Sequence, residues 1–185
     1  MSEFHSEIES GIDKWFNLIV LICGGVTAFL GGLTLLFWVL GFFNQITPGQ
    51  KLIPMAEESA FLFLLFGSSL ALYRKGLNNK AFHLLIDILV GFILLGSVFI
   101  FLDILTGNTL KLRNFLGMQA VMIKEIKSGI MSIVTVICFA LLALALWMLQ
   151  RKSKQVAVIF SSVTLLIGYI VIIGYAYGVP SLYGG

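Results

Sequence analysis

In a chain of 185 residues, 59% hydrophobic and 11% charged with a mean hydropathy of +1.03, there is more apolar side chain than a water-soluble core of this size can enclose. The formal charge of +3 comes from 12 basic and 9 acidic residues, most of them between long apolar runs. With no dense basic patch or aromatic platform, they exclude a nucleic-acid surface as well as a globule dissolved in water. The expected partner is a lipid bilayer, in a cell inner or plasma membrane.

Residues 1–14 read as a polar amino-terminal tail or a short interfacial helix. Glu3, Glu7, Glu9 and Asp13 outnumber Lys14 there, the reverse of the positive start of a secretory signal peptide, so the first apolar run is expected to stay in the mature protein. Residues 15–185 then form a single transmembrane domain, with spans expected over 15–42, 55–73, 81–105, 128–149 and 156–178. In the first span Gly24, Ala28 and Gly32 recur every four residues and offer a face on which another helix can approach closely.

Pro48-Gly49 favours a turn, and Pro54 can begin a helix without wasting an amide donor. Glu57 and Glu58 follow in the first turn of the second span, where the positive end of the helix dipole favours carboxylates. Capping at the interface is the plainer role for these acids, and sensing a cation, proton or polar ligand the sharper one. Gly76-Leu77-Asn78-Asn79, flanked by Arg74, Lys75 and Lys80, predicts a tight reversal into the third span. That span carries His83 and Asp87 at i,i+4 spacing on one face, and Asp103 near its far end. These three complete the candidate polar sensing residues, and each also fits a boundary role.

The connection 106–127 interleaves Lys111, Arg113, Lys124 and Lys127 with apolar residues, and part of it is expected to lie on the membrane as an amphipathic helix. A compact basic turn, Gln150-Arg151-Lys152-Ser153-Lys154-Gln155, separates the fourth and fifth spans. In the fifth, Gly174 and Gly178 have the spacing of a helix-packing motif.

A repeat runs through this pattern. Shifted by 76 positions, Met131, Ser132, Thr135, Phe139, Leu141 and Ala143 stand where Met55, Ala56, Ser59, Phe63, Leu65 and Gly67 stand in the first copy. Pro54, Met55, Met131 and Thr135 are the expected supports of two corresponding helix mouths. The expected fold is all-α and polytopic: five transmembrane helices in repeated antiparallel hairpins, the third hairpin incomplete.

Chemistry is sparse. HExxH, a nucleotide-binding glycine loop and a histidine cluster are all missing, and Cys23 and Cys138 lie in separate apolar runs without metal-ligand spacing. The 185 residues are therefore read as non-enzymatic, with no catalytic residue, metal or cofactor.

The loop-to-helix units resemble the multi-span amino-terminal sensory region of bacterial and archaeal signalling proteins, which PAS, histidine-kinase or diguanylate-cyclase domains usually follow. The likeness rests on Leu40-Gly41, Pro48-Gly49, Met55-Ala56, Ser59-Ala60, Phe63-Leu64-Leu65-Phe66-Gly67, Met131-Ser132, Thr135, Phe139-Ala140-Leu141-Leu142-Ala143 and the stretch from Gly174 to Gly185. It implies signal perception or membrane anchoring, with a cytosolic output domain in a longer chain. A homodimer is compatible with it. The alternatives are a small membrane transporter or transporter subunit, and a structural partner of a larger complex.

Charge sets the expected orientation. Placing Lys14, Arg74, Lys75, Lys80, Arg151, Lys152 and Lys154 inside leaves Lys51, Lys111, Arg113, Lys124 and Lys127 outside, so the amino terminus is expected in the cytosol. Single cysteines from Asn78→Cys and Asn108→Cys test this in intact cells with a membrane-impermeant thiol reagent. Asn108→Cys should be labelled and Asn78→Cys protected; the opposite pattern inverts the orientation.

Overall fold

The computed structural model describes residues 2–42, 55–75, 80–106, 122–123, 126–127 and 131–177. Five helices account for most of them: α1 (Ser2–Val39), α2 (Glu57–Lys75), α3 (Lys80–Leu105), α4 (Ile133–Gln150) and α5 (Lys154–Ala176). Four are long and apolar enough to cross a membrane, over Asn17–Val39, Lys80–Leu105, Ile133–Gln150 and Lys154–Gly174. The remaining helix, α2, carries Glu57 and Glu58 at its start and Arg74 and Lys75 at its end, around an uncharged middle.

Helix α1 is continuous from Ser2, so the polar segment 2–14 is an extension of the first apolar helix. At 1.5 Å per residue its 38 residues are about 57 Å long, roughly 20 Å more than its apolar part needs. It stops at Gly41, whose φ of 70° suits a residue without a Cβ, and the Gly41 amide donates to the Trp38 carbonyl at 3.0 Å. Helix α4 begins at Ile133, later than the expected 128. Ser132 supplies the reason: with extended backbone, its Oγ accepts from the Thr135 amide at 3.2 Å and fixes the start.

At the end of the connection 106–127, part of which is expected to be an amphipathic helix, the described residues are two short strands. Met122–Ile123 pairs antiparallel with Ile126–Lys127, Met122 opposite Lys127 and Ile123 opposite Ile126. Apart from Thr106, the rest of that connection lies outside the described residues.

Sequential helices run antiparallel. Gly24 of α1 lies beside Gly67 and Ala71 of α2, Gly31 lies beside Ala60 and Leu64, and Trp38 reaches Met55. Likewise His83 near the start of α3 meets Gln150 at the end of α4, while Ser97 and Phe101 lie across a groove from Val136 and Ala140. The core sits where α2, α3 and α4 meet, around Leu62, Ile86, Val90, Ile93, Val136 and Phe139. The outer faces of α1 and α5 are covered with exposed Leu, Ile, Val and Phe, as a lipid-facing surface requires. Five helix hydroxyls are satisfied locally: Thr27, Thr34, Ser69, Ser161 and Thr164 each donate to the carbonyl four residues earlier.

The close α1–α2 contact revises the expected packing face. Gly24 and Gly31 are both buried, whereas Gly32 is half-buried and a Cβ there would meet only the Leu64 side chain at 3.6 Å. Helical geometry explains this, since seven residues return about 20° short of two turns and eight overshoot by about 80°. The face is therefore Gly24, Ala28 and Gly31.

Gly67 is the reciprocal surface: a Cβ there would collide with the Ala28 backbone and come within 2.6 Å of the Gly24 carbonyl oxygen. Gly67→Ala should cost about 1–3 kcal/mol by forcing the two backbones apart. Gly91, with nothing within 4 Å of an added Cβ, is the control. Gly91→Ala should be neutral or gain up to about 1 kcal/mol. Unfolding midpoints of both variants in detergent check the difference.

Candidate functional site

Two helix mouths open on the same side of the bundle. At the first, Met55 and Ala56 precede α2, and the Trp38 Nε1–H donates to the Met55 carbonyl at 3.0 Å, pinning this mouth to the end of α1. Glu57 and Glu58 occupy the first turn and are half-buried, while Ala56, Ser59 and Ala60 are buried. Pro54 lies outside the described residues.

At the second mouth Met131 is buried ahead of α4, and Thr135 joins the Ser132 cap twice. Its amide donates to Ser132 Oγ, and the two hydroxyl oxygens lie 2.8 Å apart. Where the first mouth presents Glu57 and Glu58, the second presents Ile133 and Val134. Chemistry based on those acids is thus confined to one mouth.

The polar candidates divide between opposite ends of the bundle. Asp103 lies in the last turn of α3, on the same side as Glu57 and Glu58; it is 7% exposed, and its Oδ1 has no hydrogen-bond partner among the described residues. His83 and Asp87 lie at the other end of α3. From His83 to Asp103 is about 30 Å along the helix, so the five residues do not converge on one site. His83 Nδ1 approaches Gln150 Oε1 across the α3–α4 interface at 3.4 Å, and Asp87 Oδ1 is buried with no hydrogen-bond partner among the described residues.

A groove of about 240 Å³ opens between α3 and α4, lined by Ser97, Phe101, Val136, Ala140 and Leu141 among others. Its wall is apolar except for Ser97, whose Oγ is buried and has no hydrogen-bond partner among the described residues. The groove suits a hydrocarbon group. Sequence reasoning passed over Ser97, although Gly96-Ser97 interrupts an otherwise bulky apolar run and so was visible as an anomaly.

Among the described residues, no group of three or more His, Cys, Asp or Glu side chains could hold a metal ion. Cys23 and Cys138 are free thiols on α1 and α4. Gly174 is buried near the end of α5, and Gly178 lies outside the described residues. Comparison with protein-family models, with curated proteins and with solved structures finds no match.

Ser132 is the polar residue whose role at the second mouth follows most directly from geometry. Ser132→Ala removes the cap of α4 and should cost about 1 kcal/mol of stability, whereas Ser132→Asp, which can cap, should retain most of it. Unfolding of the two variants in detergent reads the difference.

Proposed function

We propose that this chain is a membrane-embedded sensory and anchoring domain that passes a stimulus to a cytosolic output domain in a longer protein. In this reading α2 is a fifth span. It lies against α1 from Trp38 to Gly24, within the stretch that crosses the membrane, so its uncharged middle shares that depth while its charged ends reach the two boundaries. The helix pairs α1–α2 and α3–α4 are then two copies of one antiparallel unit, and α5 is the first helix of a third. Helix starts 76 residues apart, at Glu57 and Ile133, favour this duplication.

The observation that carries the functional reading is the contact between equivalent residues of the two units. Phe63 and Phe139 pack edge to face, with ring centroids 4.9 Å apart and planes at 81°. Around this pair the contact between α2 and α4 is thin, whereas α1 and α2 approach to backbone distance. The two units meet through side chains, along α2 and α3 and at this phenylalanine pair, and such a seam suits a two-state device, since discrete side-chain packings switch more readily than a closely packed backbone pair. A stimulus favouring one packing would shift the population by its differential affinity. The acids at the first mouth offer a polar stimulus a place to act, on the outer side in the expected orientation.

The test is made in the longer protein, in a background with Cys23→Ser and Cys138→Ser. Bridging Phe63→Cys to Phe139→Cys with a short bis-thiol reagent should fix the output at one level whatever the stimulus, and reversal of the bridge should restore the response. Output that follows the stimulus equally well with the bridge in place would sink the seam mechanism. A reading frame that encodes no output domain would sink the signalling assignment.

A further inference from the structure

We propose that the end of the bundle formed by the start of α3, the end of α4 and the start of α5 binds the headgroup of an anionic phospholipid, with its phosphodiester held among Lys80, Arg151, Lys152 and Lys154. The contact between His83 and Gln150 draws the first turn of α3 to the last turn of α4, and so puts Lys80, one turn before His83, at the same end of the bundle as the α4–α5 turn. All four cations are exposed. No acid lies in the segments that present them: the sequence has none between Glu58 and Asp87, and none beyond Glu125. The α4–α5 hairpin therefore carries cations and no acid of its own.

The turn is built to present charge. Lys152 and Ser153 donate backbone hydrogen bonds to the carbonyls of Leu149 and Met148, a helix ending that calls for a left-handed residue after the cap. Glycine is the usual choice, but Lys152 adopts it, at φ 60°. A side chain is kept here at a conformational cost, and that side chain is a cation. Beside it, the Arg151 guanidinium lies 5.5 Å from the ring centroid of Trp147. Tryptophan favours headgroup depth, so the pair sets the turn at the level of the lipid phosphates. The starts of α3 and α5 face the same level and add the positive ends of two helix dipoles. Both lipid phosphate and free phosphate share the chemistry these groups recognise. The depth of the site, on a membrane-spanning bundle beside a tryptophan, selects the lipid.

The experiment measures the unfolding midpoint of the purified full chain in uncharged detergent, titrated separately with phosphatidylglycerol, phosphatidylcholine and inorganic phosphate. Phosphatidylglycerol should raise the midpoint saturably, and the other two should leave it unchanged at matched concentration. Each cation near an anionic headgroup is worth on the order of fivefold in affinity, so Arg151→Gln with Lys152→Gln should weaken the response at least about tenfold. Lys152→Gly separates binding from folding: it relieves the left-handed conformation, so it should fold at least as well while responding about fivefold more weakly. Equal responses to phosphatidylglycerol and phosphatidylcholine, a response to inorganic phosphate as large as that to the lipid, or an undiminished lipid response in Lys152→Gly would each overturn the proposal.

Discussion

The structure depends on the close approach of α1 and α2. At Gly31 and Gly67 there is no room for a Cβ and at Gly24 only a tight fit, so the two helices meet backbone to backbone. In a membrane this matters more than burial does, because lipid tails solvate apolar side chains about as well as a neighbouring helix and leave dispersion contact as the main reward for packing. A backbone approach maximises that contact and allows little sliding, since each backbone faces a bare patch of fixed position on its partner. The carbonyl of Met55, held by Trp38, fixes the register at one end of the same pair.

The rest of the bundle is held differently. Between α2, α3 and α4 the contacts are made by larger side chains, Leu62, Ile86, Val90, Ile93 and Phe139, with a phenylalanine pair where α2 meets α4. Interlocked side chains of this kind have alternative rotamers, which a backbone contact lacks. The polar groups inside this part of the bundle, Ser97, Asp87 and Asp103, each keep an oxygen with no hydrogen-bond partner among the described residues. On the outer helices, by contrast, Thr27, Thr34, Ser161 and Thr164 are closed onto their own backbone. The part of the bundle packed through large side chains thus retains unspent hydrogen-bonding capacity.

Much of the architecture was legible in the residues, for identifiable reasons. Long apolar runs admit one backbone solution in lipid, and so the helices stand near where the runs do. Boundaries shifted where a local hydrogen bond decided them, as at Ser132, whose capping of α4 competes with continuation of the apolar pattern toward 128. The choice of Gly31 over Gly32 was available from helical angle alone, and a four-residue count misses it because it accumulates phase over two turns. The meeting of His83 with Gln150 was not available, because 67 residues separate them and nothing local in either segment encodes the other. The division of the acidic and histidine candidates between two ends could be inferred from their spacing along α3. The buried oxygen of Asp103 could not, since it depends on how neighbouring elements close over the last turn of that helix.

Helix α1 has a further mechanical consequence. Its first turns are continuous with a segment locked to α2, so a tilt of that segment is carried along the helix to its start. An extension about 20 Å long converts a tilt of about 10° at the membrane surface into a displacement of about 3–4 Å at its tip, given the axial rise of an α-helix. Small reorientations of the first helix pair are thereby magnified at Ser2, on the side of the bundle where α2 ends and the 151–153 turn lies.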